Sequence, residues 1–218
     1  DRKSGFGDRD IYKAVKLPTG KWSLAINLGN VINTPYDEDA PFIHPDQKTL
    51  FFSSSGHKSM GGFDIFFTQK TDTGWTTPKN MGYPVNTTLD DIYYVVSTDG
   101  KRGYFSSVRA EGKGEQDIYM ITIPQAVVEP VALIVGLIKN ANGEPLTSGT
   151  AIFVTNGATG TVVEYRPNIR SGKFVLSLIP NLEYQVSVQV NGIEVYGAVI
   201  KPQENFNMKN LTRFLLFA

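Results

Sequence analysis

Apolar and polar residues alternate along most of this chain in short runs, and no stretch keeps the helical period long enough to predict a helix. In the first half the alternation predicts strands at 40–44, 49–53 and 63–68, with a weak fourth opening at Gly74-Trp75-Thr76. Pro45-Asp46-Gln47-Lys48 reads as a turn, because proline fixes φ and aspartate can accept from the backbone ahead of it. The polar, glycine-rich stretch 54–62 reads as a loop. Further strands are expected near Ile11 and Trp22 and at 92–96, 102–106 and 118–123. From Val131 onward the alternation predicts strands at 132–138, 151–156, 160–166, 173–178, 184–190, 195–200 and 213–217. Asn142-Gly143, Ser171-Gly172 and Asn191-Gly192 are hairpin-grade turn signals between them. Pro124 to Pro130 has no period and is bounded by prolines, so 125–130 is expected to be a linker.

The first half repeats itself. Asp10-Ile11-Tyr12 returns as Asp64-Ile65-Phe66 and as Asp117-Ile118-Tyr119, at spacings of 54 and 53 residues. At the same offset Asn33-Thr34 becomes Asn86-Thr87, Asp37-Glu38 becomes Asp90-Asp91, Asp46 becomes Asp99, and Phe52-Ser53-Ser54 becomes Phe105-Ser106-Ser107. Gly7, Gly61 and Gly114 each precede the phrase by three residues. A period of this length, filled with four short strands, is the pattern of propeller blades. The chain opens within one unit, completes a second, and shows no evident fourth strand in the third. That predicts about two and a quarter blades, and a closed ring needs roughly four or more. The remaining blades are expected from sequence upstream.

Composition narrows the function classes. Acidic and basic residues balance at 21 each, which gives no electrostatic footprint for nucleic acid or an anionic membrane. There is no cysteine, so disulfides, thiolate nucleophiles and cysteine metal sites are excluded. No apolar run is long enough for a membrane helix, and the first residues carry no signal-peptide pattern. All 12 aspartates and both tryptophans lie before residue 124, a shift in composition that coincides with the expected domain boundary.

Candidate chemistry is sparse. The only imidazoles are His44 and His57. Ser53-Ser54-Ser55-Gly56-His57 invites a serine–histidine reading, but the G-x-S-x-G elbow is absent. His44 sits beside a turn where the next unit carries Ser97. Asp37, Glu38 and Asp39, with Asp90 and Asp91, could supply an acid–base pair. They recur with the unit, though, whereas a catalytic pair is needed once. Asp64 and Asp117 could contribute to a calcium site, yet no D-x-[DN]-x-[DN]-G loop is present; binding of nearby backbone N–H groups is the expected role. Gly112-Lys113-Gly114 lacks phosphate-loop spacing. Tyr83, Tyr93, Tyr94 and Tyr104 could stack on sugars or peptides, or pack within strands. No residue is assigned as catalytic, as a metal ligand or as a cofactor ligand, no cofactor is expected, and the binding residues are left open.

Two resemblances follow from these motifs. Residues 39–66, from Asp39-Ala40-Pro41-Phe42-Ile43-His44-Pro45-Asp46 through Leu50-Phe51-Phe52-Ser53-Ser54 to Gly61-Gly62-Phe63-Asp64-Ile65-Phe66, resemble the TolB-type propeller repeat. The likeness is weaker over 91–119, where Tyr94 and Thr98 replace Pro41 and Pro45. The second half resembles the carboxypeptidase regulatory-like domain, a transthyretin-like sandwich, through Val135-Gly136, Asn142-Gly143-Glu144-Pro145-Leu146, Ser171-Gly172-Lys173-Phe174, Leu178-Ile179-Pro180 and Tyr184. In this order the two resemble the central portion of a Bacteroidetes cell-envelope family that also carries helical repeats and an OmpA-like peptidoglycan-binding domain. One member type anchors type IX secretion and gliding machinery to peptidoglycan.

The expected fold is therefore all-β: a partial TolB-type β-propeller at 1–124, a linker at 125–130 and a carboxypeptidase regulatory-like β-sandwich at 131–218. The resemblance implies a non-enzymatic interaction and scaffold module of a periplasmic, outer-membrane-associated protein. Its expected partners are other cell-envelope proteins and the remaining propeller blades. Peptidoglycan would be reached only through a downstream domain outside this chain; neither nucleic acid nor a membrane span is expected. The alternative is a carbohydrate- or peptide-binding module of a nutrient-uptake or polysaccharide-degrading system.

Overall fold

A computed structural model of the chain describes residues 5–15, 17, 21–124, 127–139 and 146–203. The expected Asn142-Gly143 turn and the strand at 213–217 lie outside the described residues. Among the described residues every regular element is a strand, and no helix is long and apolar enough to cross a membrane. The chain divides into two compact units, Asp1–Val128 and Glu129–Ala218.

The first unit contains three antiparallel sheets. β1 (Tyr12–Lys13) pairs with β2 (Ile26–Asn27). The second sheet runs β3 (Glu38–Ile43), β4 (Thr49–Ser54), β5 (Asp64–Thr71) and β6 (Gly74–Trp75), with β7 (Lys79–Asn80) also on β5. The third runs β8 (Asp91–Val96), β9 (Arg102–Ser107), β10 (Asp117–Thr122). The first strand of that pair lies beside Ile11 as expected, whereas its partner falls at Ile26–Asn27 and Trp22 forms only an isolated bridge.

Burial explains how the sheets stack. All six residues of β4 are buried, which requires cover on both faces. Leu50 and Phe52, with Phe66, share a core with Ile11 and Ile32 from the first repeat. Phe51 and Ile65 point the other way and pack with Tyr94, Val96 and Phe105 of the third sheet. The Phe51 and Tyr94 ring centroids lie 4.9 Å apart. Each buried aromatic of this kind contributes roughly 1.5–3 kcal/mol from lost water contact alone. Val128 is buried in the same core, and Gln69 Nε2 donates to the Val127 carbonyl at 3.1 Å. The end of the proline-bounded stretch therefore packs onto the first unit.

Both complete inner hairpins carry the same irregularity. The β3–β4 register shifts between Asp39 and Phe42, and the β8–β9 register between Ile92 and Val95. Ala40 (φ 49°) and Tyr93 (φ 61°), 53 residues apart, occupy the bulge, where an extra residue bends the strand.

In the second unit β11 (Ala132–Leu137) pairs with β14 (Lys173–Leu178). A four-stranded sheet runs β13 (Val162–Tyr165), β12 (Thr150–Asn156), β15 (Tyr184–Val190), β16 (Ile193–Ile200). Ile134, Phe174 and Leu176 from the first sheet and Ile152, Val154, Val186 and Val188 from the second form one core. Asn191 and Gly192 both have positive φ, the geometry that joins β15 to β16 tightly.

Candidate functional site

The repeated residues build the joints between successive sheets. Asp10 accepts from the Phe6 and Gly7 amides at 2.7 and 3.0 Å and from Asn27 Nδ2 at 2.7 Å. Asp64 accepts from the Met60 amide and from Asn80 Nδ2 at 2.9 Å. Asp117 accepts from the Lys113 and Gly114 amides at 2.6 and 3.2 Å. Each carboxylate thus ties a loop to the strand it precedes, the expected backbone-binding role.

Asn33 and Asn86 do what a neighbouring strand would do. Asn86 Oδ1 accepts from the Ile65 amide at 2.8 Å, and its Nδ2 donates to the Ile65 carbonyl at 2.9 Å. Asn33 treats Ile11 the same way, at 2.7 and 3.1 Å. Both asparagines are fully buried, so these bonds satisfy groups that water cannot reach.

The acidic pairs close the joint. Arg9 and Phe63 donate their amides to Asp37 Oδ1 and Asp90 Oδ1, at 3.1 and 2.8 Å. Their carbonyls accept from the Glu38 and Asp91 amides at 2.9 and 2.7 Å. The Glu38 carboxylate accepts from the Thr34 amide, the Thr34 hydroxyl and the Ser54 hydroxyl, all within 2.8 Å. Asp91 is one methylene shorter. Its Oδ2 takes the Thr87 amide and hydroxyl, while its buried Oδ1 has no hydrogen-bond partner among the described residues. Asp91→Glu is expected to reach Ser107 as Glu38 reaches Ser54. It should raise stability by about 1 kcal/mol in urea denaturation.

Neither imidazole is hydrogen-bonded to a serine hydroxyl among the described residues. The His57 Nε2 contacts the Ile32 carbonyl at 2.9 Å, and its ring packs on Phe52 and Phe66. Ser54 Oγ donates to Glu38 and accepts from the Gly56 and His57 backbone amides, at 2.8, 2.9 and 3.3 Å. His44 is fully buried beside Asp46, with Nδ1 at 3.2 Å from Oδ2. Asp46 also accepts from the Lys48 and Thr49 amides and the Thr49 hydroxyl, at 2.8, 2.9 and 2.8 Å. In the next unit Ser97 takes the place of His44 and donates to Asp99 at 2.6 Å. His44 is thus one of two ways of holding a turn aspartate.

Burial is the largest influence on Asp46 and pushes its carboxyl up. The His44 contact, the Thr49 and Lys48 amides and the Thr49 hydroxyl together outweigh it and bring the group down to about 2. A lowered folded-state value means the stabilisation is present above the unfolded value of 3.8 and is lost as pH falls through about 2. Asp46→Ala should remove roughly 2 kcal/mol at neutral pH, and the difference from the parent should vanish in acid melts approaching pH 2.

The tyrosines do not form one surface. Of the two readings open for Tyr94, packing is the one the structure shows: it is buried between the second and third sheets, and burial raises its hydroxyl to about 12. Tyr83, Tyr93 and Tyr104 are exposed.

The third sheet presents a bare apolar face. In the second sheet Phe42, Phe51 and Phe67 are cross-strand neighbours, and this row packs against the third sheet. The positions 53 residues on are Val95, Tyr104 and Met120, again one cross-strand row. They are 41%, 36% and 59% exposed, whereas Phe51 is 0% exposed. Ile65 is also 0% exposed, and its counterpart Ile118 is 84% exposed. The repeated glycines tell the same story. A Cβ on Gly7 would lie 1.9 Å from the Tyr36 carbonyl oxygen, and one on Gly61 would lie 2.5 Å from the Thr88 carbonyl carbon, both in the following repeat. A Cβ on Gly114 would meet nothing closer than 4.0 Å.

Recurrence marked Asn33, Asn86, Glu38 and Asp91 in the sequence without giving their roles. The bare row was not distinguishable from its buried counterpart, because both are apolar. Comparison with known proteins adds no further constraint: no family model matches the chain, and no curated protein matches it.

Proposed function

We propose that this chain is a non-enzymatic interaction and scaffold module of a periplasmic, outer-membrane-associated protein, in the manner of type IX secretion or gliding components. In this reading the first unit is part of a TolB-type β-propeller and the second a carboxypeptidase regulatory-like sandwich. The observation that carries it is the bare row Val95, Tyr104 and Met120 with Ile118, position for position the row that the second sheet buries. An apolar face this specific supports docking by a further sheet of the same repeat, supplied by the remaining blades. The joints fix the sheets, and the loops 54–62 and 107–116 are left to address other envelope proteins. Peptidoglycan would be reached only through a domain outside this chain.

The absence of cysteine makes a direct test available. Met120→Cys carrying a benzophenone maleimide should photo-crosslink, in intact cells, to a peptide bearing the Asp-Ile-aromatic phrase. The same label at the exposed turn residue Thr73 should not. Crosslinking no stronger at 120 than at 73, or recovery of the protein in the cytoplasmic fraction, would count against the reading.

A further inference from the structure

The outward face of the four-stranded sheet in the second unit holds an open groove of about 700 Å³, within the range of small-molecule sites. Three consecutive cross-strand partners shape it. Phe153 stands opposite Ser187, and Ser187 opposite Gly197. Side-chain size falls from aromatic ring to hydroxymethyl to hydrogen along this row, so the sheet surface steps down to a floor at Gly197. Gln185 and Gln189 flank Ser187 on the same strand and the same face, two residues to either side.

A backbone irregularity supplies the remaining wall. The β15–β16 register shifts between Val188 and Gln189, so that Val188 pairs with Tyr196 but Gln189 with Glu194. Tyr196 packs on the core. Simple alternation would send Glu194, two residues away, to the core as well. The extra residue turns it outward instead, the re-aiming that a bulge permits. There its carboxylate accepts from the Ser187 hydroxyl at 2.6 Å and extends over Gly197, where Oε1 would lie 3.0 Å from a Cβ. Gln189 Nε2 lies 3.5 Å from the same hydroxyl.

We infer that this groove binds a neutral glycan. Phe153 offers an apolar ring against which a sugar face can lie. Gln185, Gln189, Ser187 and Glu194 converge donors and acceptors suited to ring hydroxyls. Among the described residues no lysine or arginine lines the groove, and the Glu194 charge disfavours acidic sugars. The nearby Arg166 is held by Glu164 at 2.5 Å. The inference concerns the second unit alone, so its failure would leave the docking face of the first unit untouched.

Amide NMR titration of the full chain with maltotriose, cellotriose and tri-N-acetylchitotriose, each in turn, tests it. At least one should give saturable shifts at Phe153, Ser187, Gln189, Glu194 and Gly197, with Kd on the order of a millimolar or tighter. Phe153→Ala and Gln189→Ala, both changed on the outward face, should each weaken binding about tenfold, roughly 1.4 kcal/mol. Gly197→Val should abolish it, with the amide spectrum of the core residues confirming that the fold is kept. No shift at these residues with any of the three would overturn the assignment. So would equal binding of 3′-sialyllactose, or unchanged affinity in folded variants.

Discussion

Phe51→Ala is expected to cost the first unit about 3–5 kcal/mol, while Tyr104→Ala, the same truncation one repeat later, should cost the 218-residue chain no more than about 1 kcal/mol. Phe51 is fully buried, with Phe42, Phe67 and Tyr94 around its ring at centroid distances of 6.4, 6.2 and 4.9 Å. Removing it takes away both the transfer free energy and the contacts that line the cavity left behind. Tyr104 occupies the equivalent place on the face whose row of Val95, Tyr104 and Met120 is 36–59% exposed. Denaturant midpoints of the two variants measure the difference. Equal losses would mean that the third sheet is covered, and the bare row would then lose its meaning.

Asn86→Ala should also be damaging, at roughly 1–3 kcal/mol, although it removes no apolar volume. The substitution strands the buried amide of Ile65, while the Ile65 carbonyl keeps the Met81 amide at 3.0 Å; an unsatisfied buried group costs about 1–3 kcal/mol. It also removes one of the two donors to Asn80 Oδ1, which keeps the Gly82 amide. Hydrogen exchange adds a local readout: the Ile65 amide should lose protection first. Asn86→Asp keeps the acceptor for that amide but cannot donate to the carbonyl, so it should recover only part of the loss. Full recovery would show that the donor half contributes nothing.

The sequence revealed the sheets more readily than their surroundings. Alternation located β4, β5, β9, β14 and β15 because the side-chain period of two is imposed by the backbone itself. Recurrence at 53 residues located the joints, since Asp64, Asn86 and Asp90 are polar residues in places where a single copy would suggest chemistry. Burial is set by what lies opposite, and composition cannot report that. Phe51 and Tyr104 are both aromatic strand residues, yet one is sealed and the other bare. Tyr94 stays open between ligand stacking and strand packing for the same reason: the sequence does not say which face of β8 meets the second sheet. The groove on the second unit was missed because it depends on a register shift. Glu194 lies on the outward face only through the extra residue in β16, and no residue type announces a bulge.

The joints have a consequence for how such an array changes over time. Arg9 and Phe63 meet the next repeat through equivalent bonds, an amide to an aspartate carboxylate and a carbonyl to a backbone amide, and Ile11 and Ile65 through equivalent asparagines. A whole period inserted or deleted between equivalent positions would therefore meet neighbours already shaped to receive it. Recombination between copies of the gene segment can lengthen or shorten the array without inventing a new contact, provided the break falls at matching points of the 53-residue period.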